Sequence, residues 1–237
     1  MFEVQNIAFA YGRKSILRDV SFVVSPGETV SVIGANGAGK TTLMRLLATL
    51  AVPDSGRVIS EGVDAFVHPL AYRQKLGYLP EKIALYDDMT VREYLVYRAR
   101  LKGEGFRRIR RRLGEACEVC RLDDSLLGER IRVLSAGQKK RVAIADAILL
   151  RPKVLLLDDF LAGLDYPMRE SLGELLLSVA AFSAVVVTGH EIDDLARWTT
   201  RFLVLKDGVV SASIPTSGVE SAALRERLGA LLSGGVR

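Results

Sequence analysis

The chain has no apolar run approaching the ~18 residues that a membrane-spanning helix requires. Its first residues, Met1-Phe2-Glu3-Val4-Gln5, also lack the basic-then-apolar pattern of a secretory signal. The two absences predict a cytosolic chain that is not itself embedded in membrane. Cysteine is scarce: Cys117 and Cys120 are the two present, in a C-x-x-C with no second pair or histidine cluster to complete a zinc site. They are expected to be reduced, partly buried thiols on one helix face. Histidine is equally rare, with two residues; His68 precedes Pro69 without a companion ligand and reads as a loop residue. The formal charge is a modest +5, yet Arg107, Arg108, Arg110, Arg111 and Arg112 form a dense basic run without interleaved aromatics. That run reads first as a solvated helix face, next as a dock for an acidic partner or anionic lipid, and last as a nucleic-acid contact.

What is present is a sizeable core. Of 237 residues 49% are apolar, enough for one large α/β domain or a domain with an insertion. The chain is organised around Gly34-Ala35-Asn36-Gly37-Ala38-Gly39-Lys40-Thr41-Thr42, between a strand-like run at Thr29 to Ile33 and a helical pattern from Thr41 to Leu50. Glycines permit the dihedrals that turn successive backbone N–H groups inward, and without Cβ atoms a triphosphate can approach the backbone closely. A helix starting near Gly39 adds its free N–H groups and positive dipole end. Lys40 would bridge the β- and γ-phosphates, and Thr41 would place a hydroxyl on Mg²⁺.

Around this loop the N-terminal residues look β-rich, with strands over Phe2 to Phe9 and Asp19 to Val24, and Tyr11 on the loop between them. Tyr11 reads equally as a surface aromatic and as a platform for a nucleobase. Short strands are expected at Arg57 to Ser60 and Leu76 to Leu79, the latter ended by Pro80. From about Ile83 to Arg132 the composition turns helical and Arg/Glu/Leu-rich, opening with the capping box Thr90-Val91-Arg92-Glu93; a second helix follows Gly105. Ser135 and Gln138 repeat the capping-box logic for a helix running to Leu150, whose start carries a serine hydroxyl and the Gly137 backbone. Val154 to Leu157 suits a central parallel strand ending in Asp158-Asp159, two carboxylates that need a cation or donor there. One is expected to support Mg²⁺ and the other to contact an attacking water. Asp165 caps a helix to Ala181, Ala184 to Val187 forms the next core strand, and His190 follows its C-terminal end, the edge at which such sheets bind ligands. A hairpin over Phe202 to Ser211 and an amphipathic helix over Ser217 to Leu232 close the chain.

With these parts in order, the sequence resembles the ATP-binding cassette family, the nucleotide-binding subunits of ABC transporters, over residues 2–211. Gly34 to Thr42 matches the family's P-loop, Leu134 to Gln138 its signature segment, Val154 to Asp159 its Walker B strand, Ala162 to Asp165 its D-loop, His190 its switch histidine and Tyr11 its adenine-stacking aromatic. The resemblance implies a single domain over 1–237: a P-loop NTPase core with a mainly parallel sheet, an N-terminal antiparallel β subdomain, an inserted helical subdomain at about 83–150 and a helical tail over 212–237. It implies ATP and Mg²⁺ as cofactors, Gln138 among the nucleotide-binding residues, and a homodimer or heterodimer in which Ser135 and Gly137 act in trans on a partner's γ-phosphate. It further implies a membrane-spanning transporter subunit as partner, a place on the cytoplasmic face of the membrane, and no nucleic acid.

Five positions depart from the family pattern, two of them tolerable variations: Ala136 for the first signature glycine and Phe160 for the proline after the catalytic position. Asp159 replaces the usual catalytic glutamate, which predicts slow but nonzero hydrolysis. Glu81, in Gly77-Tyr78-Leu79-Pro80-Glu81, replaces the Q-loop glutamine as in an exporter-like subgroup, and its carboxylate could still reach Mg²⁺ or water. Asp146 stands where the family often has arginine. The short tail also tilts the reading towards export. The rival readings are a soluble cassette ATPase acting on DNA or ribosomes, and a low-activity regulatory cassette of a heterodimer.

Overall fold

The computed structural model of the chain describes residues 1–217 and 221–233. It opens with β1 (Phe2–Tyr11), β2 (Lys14–Val24), β3 (Thr29–Ile33), α1 (Lys40–Leu47), β4 (Ser55–Ser60), β5 (Val63–Asp64), α2 (Pro69–Gln74) and β6 (Leu76–Leu79). A helical stretch follows, made of α3 (Val91–Leu101), α4 (Phe106–Val119), α5 (Asp124–Gly128) and α6 (Ala136–Ile148). The chain then alternates β7 (Val154–Leu157), α7 (Tyr166–Ala180), β8 (Ala184–Thr188), α8 (Ile192–Trp198), β9 (Arg201–Lys206), β10 (Val209–Pro215) and α9 (Ser221–Ser233).

The described strands form one ten-stranded sheet in the order β5-β4-β1-β2-β10-β9-β3-β8-β7-β6. Neighbours from β9 through β3, β8 and β7 to β6 run parallel, and β5, β4, β1 and β2 run antiparallel. Between the halves, β10 pairs antiparallel with β9 and meets β2 in parallel at Val209 and Asp19.

The apolar runs of β3, β7 and β8 are buried along their whole length, as parallel strands covered on both faces must be. Alternate side chains serve opposite layers. Val30, Val32, Val154, Leu156 and Val186 pack with Leu43, Met44, Leu46 and Leu47 of α1, whereas Leu155, Leu157, Val185 and Val187 pack with the faces of α3, α4, α6 and α7.

The central strands lie where the sequence predicts them, and boundaries differ elsewhere. Strand β2 starts at Lys14 rather than Asp19, and its first residues are mostly exposed, so no hydrophobic alternation announces them. Helix α1 stops at Leu47 because Thr49 takes a left-handed φ of 56°. His68, expected in a loop, caps the unforeseen α2, whose first residue is Pro69. Strand β10 runs to Pro215, so the first residues assigned to the helical tail are strand; the parts of that tail at 218–220 and 234–237 lie outside the described residues. Both capping boxes form, with Glu93 N–H donating to Thr90 Oγ1 and Gln138 N–H to Ser135 Oγ, each at 3.2 Å. Cys117 and Cys120 are free and buried, and burial pushes both thiols up in pKa.

Asp146 acquires a reason here. It is buried on α6 and its Oδ2 accepts from Arg98 Nε at 2.9 Å and from the Tyr94 hydroxyl at 3.1 Å, both on α3. Burial first, and the Asp146 charge second, push the Tyr94 hydroxyl well above its usual pKa. The contact fastens α3 to the helix that begins with the signature segment. Replacing Asp146 by Ala strands Arg98, a loss of about 1–2 kcal/mol given that Arg98 keeps some solvent. Chemical denaturation should show that loss for Asp146→Ala, and Arg98→Met added to it should restore most of the stability.

Candidate functional site

Four parallel strands hand over to polar loops at one edge of the sheet: β3 to Gly34, β6 to Pro80-Glu81, β7 to Asp158-Asp159, and β8 to Gly189-His190. Register brings these ends together, since Val32 pairs with Thr188, Leu157 with Val187, and Leu79 with Leu157. Ligands of open parallel sheets bind at this edge.

At the end of β3, a Cβ on Gly34 would lie 2.5 Å from the Leu205 carbonyl oxygen, so the close turn requires glycine. Gly39 caps α1 in the left-handed region at φ 102°, with no side chain satisfying the first N–H groups of the helix. Those donors and the dipole face the loop's concave side. Lys40 Nζ donates to the Gly34 carbonyl at 2.7 Å and to the Ala35 carbonyl at 3.3 Å. Burial lowers the Lys40 pKa, against the opposing pull of the Asp159 and Asp158 charges.

Opposite stands the carboxylate pair. Asp158 is 2% exposed, and its Oδ1 accepts from the Thr188 hydroxyl at 2.6 Å. The same hydroxyl oxygen accepts from the Asp159 N–H at 2.9 Å, so one threonine joins both aspartates to β8. Asp159 itself has φ 50°, and its carbonyl accepts from Lys140 Nζ at 3.3 Å. Oδ2 of Asp158 and Oδ1 of Asp159 are buried and receive no hydrogen bond among the described residues. Burial raises the Asp158 pKa, helped by repulsion from Glu81 and Asp159, while the Thr188 hydrogen bond opposes the rise. Burial likewise raises Asp159, with Glu191 and Glu81 adding repulsion and His190 and Lys140 opposing.

A cavity of about 390 Å³ separates loop and carboxylates. Of the residues singled out in the sequence, Asn36, Gly37, Gly39, Lys40, Thr41, Thr42, Glu81, Asp158, Asp159 and His190 line it. Ala38 lines an adjoining cavity of about 350 Å³. Tyr11, half exposed and edge-on to Phe9 at 4.8 Å between ring centres, lines neither, and Ser135, Gly137 and Gln138 lie outside both. Sequence reasoning missed Thr188, Lys140, and the Lys14 and Ile16 pair that lines both cavities. Thr188, as the residue where an apolar strand meets Gly189-His190, carried a signal; Lys140 carried none.

A family model described as ABC transporter matches residues 17–162. The chain belongs to the ABC transporter family. It is 31% identical over 211 residues to the uncharacterized ABC transporter ATP-binding protein YxlF of Bacillus subtilis (strain 168), covering 89% of this chain and 70% of that protein. To the spermidine/putrescine import ATP-binding protein PotA of Pasteurella multocida (strain Pm70) it is 32% identical over 211 residues, 88% of this chain but 56% of the importer subunit. The dimeric post-hydrolysis structure of the ATP-binding cassette MJ0796 bound to ADP and Pi matches with a TM-score of 0.81 at 27% identity, over 92% of this chain and 100% of that one. The mixed sheet with its antiparallel N-terminal strands is therefore the ABC ATPase fold, and the chain is an ABC transporter ATP-binding domain.

The buried carboxylate of this ATP-binding domain makes a stability prediction. Because the folded pKa of Asp158 is raised, the native state holds the proton more tightly than the unfolded chain. Its contribution to stability therefore falls as pH rises from about 3.9 through the folded pKa. Asp158→Asn should raise the melting temperature of the nucleotide-free chain at pH 7 by about 2–4 °C, the response to ~1 kcal/mol at this size. Calorimetric scans should show the gain vanish below about pH 3.9, where both side chains are neutral.

Proposed function

We propose that the chain is the ATP-hydrolysing subunit of an ABC transporter that drives export through a separate membrane subunit. The observation that carries this reading is the cavity in which Lys40 faces Asp158, Asp159, Glu81 and His190 at the ends of parallel strands. Backbone amides of residues 34–39 would cradle the phosphates, and Lys40 would exchange the Gly34 and Ala35 carbonyls for the β- and γ-phosphate oxygens. The Asp158 oxygen without a hydrogen bond and the nearby Thr41 hydroxyl fit a divalent cation. Thr41 and Asp158, with Glu81, would hold Mg²⁺, whose charge when bound offsets that on the phosphate oxygens. His190 stabilises the γ-phosphate region, and the exposed Tyr11 ring offers its face to adenine.

Asp159 orients the attacking water. Its side chain is one methylene shorter than glutamate, and its backbone is held on both sides, N–H by Thr188 and carbonyl by Lys140. The main chain therefore cannot advance to make up the missing length, and hydrolysis is slow. Ser135, Gly137 and Gln138, away from this cavity, act on the nucleotide of a second cassette in a head-to-tail homodimer or heterodimer; the dimeric state of the MJ0796 structure supports pairing as such. In this reading residues 1–237 are one cassette, with about 83–150 as its helical subdomain. The Glu81 surface and that subdomain dock the membrane subunit on its cytoplasmic face, and Gly77-Tyr78-Leu79-Pro80-Glu81 supports export.

The short arm of Asp159 also favours a second reading, the low-activity half of a heterodimer. Steady-state hydrolysis and calorimetry separate the two. Lys40→Ala should abolish the heat of ATP binding; Asp159→Asn should keep binding and lower the already slow turnover by about 10²-fold. Asp159→Glu should raise kcat at least about tenfold. Turnover unchanged by Asp159→Asn sinks the proposed role of that carboxylate, and a chain that binds ATP but hydrolyses none, with or without Asp159→Glu, is the regulatory half.

A further inference from the structure

We infer that the tip of the helical stretch, where α3 ends and α4 begins, is a contact for an anionic lipid surface, reached directly by this chain in addition to any membrane subunit. Residues 100–111 carry Arg100, Lys102, Arg107, Arg108, Arg110 and Arg111 against one acid, Glu104. Arg108 reaches Glu104 at 3.4 Å, and Arg111 stands 3.9 Å from Glu115, too far for a hydrogen bond. Among the described residues Arg107 and Arg110 make no ion pair, and both are exposed. No acidic residue occupies the first turn of α4. Like charges three and four apart destabilise a helix on its own, and an anionic surface relieves that repulsion.

Two apolar side chains stand within this charge. Phe106 is 71% exposed and Leu101 60%, and the Arg100 guanidinium lies 3.8 Å from the centre of the Phe106 ring. On α4, Arg107, Arg110 and Arg111 fall on one exposed side of the helix, while Ile109 and Leu113 face the core; Phe106 heads the stripe of those two and, as the first residue of the helix, projects beyond the core. An aromatic and a leucine ringed by arginines is the pattern of an interfacial contact: apolar ends enter the headgroup boundary while guanidinium groups meet lipid phosphates. Nucleic acid fits less well, because Arg100 already occupies one face of the ring on which a base would stack. An acidic peptide fits less well too, because the groove leading away from Arg110 is bordered by Glu118, Asp123 and Asp124.

The test is co-sedimentation of the full chain with phosphatidylcholine vesicles, with and without about 30% phosphatidylglycerol. The chain should partition to the anionic vesicles and leave the neutral ones, and partition should weaken as salt shortens the Debye length from about 10 Å to about 3 Å. Arg107→Gln, Arg110→Gln and Arg111→Gln should each lower it about fivefold, and Phe106→Ser with Leu101→Ser should lower it while leaving ATP binding unchanged. Equal binding to neutral vesicles, or wild-type partition by the triple glutamine variant, overturns the inference. So does binding of polyglutamate or single-stranded DNA by a chain that ignores the vesicles. Should the triple variant fail to fold, the lipid preference and salt dependence of the wild-type chain decide the question by themselves.

Discussion

A buried carboxylate at the end of an apolar strand is the constraint around which this site is arranged. Asp158 follows four fully buried residues of β7, and the Thr188 hydroxyl from the adjacent strand makes that position tolerable. The same oxygen then receives the Asp159 N–H. One side chain thus sets the attitude of two acids, and it can do so because β7 and β8 are paired in register. The P-loop is fixed by the same sheet, one strand further along, so the distance between phosphate cradle and carboxylates is a property of strand spacing rather than of loops.

The charge balance within the cavity is unfavourable without a ligand. Burial first, and repulsion second, raise both acids: Glu81 and Asp159 act on Asp158, and Glu191 and Glu81 on Asp159. Lys40 offsets part of this, but its own burial works against its charge. Such a site gains most from a ligand that brings both signs, anionic phosphates for the amides and lysine, and a cation for the acids.

Much of this was legible in the sequence where a local signal exists. Thr29 to Ile33, Leu76 to Leu79 and Val154 to Leu157 are apolar runs bounded by turn residues, and each is a strand with those limits. The capping boxes at Thr90 and Ser135 are written in four consecutive residues and form as read. What depends on contacts distant in the chain was not legible. Thr188 meets Asp158 across 30 residues and Lys140 meets Asp159 across 19; the place of Thr188 at a strand end marks it as a site residue but not its partner, and Lys140 has no mark at all. Asp146 looked anomalous beside the family pattern because its partners, Tyr94 and Arg98, sit on another helix. Strand β5 and helix α2 are too short to show a period.

The division of each central strand between two oily layers sets how disturbance spreads. Leu155 and Leu156 are neighbours in the chain, yet the first belongs to the helical side and the second to the side that cushions α1. The sheet is in this sense a partition wall. A poorly fitting residue at 155 is felt beneath the helices that lead to Ser135, while the bed of the phosphate cradle keeps its shape. One step along the backbone, at 156, the two sides exchange roles.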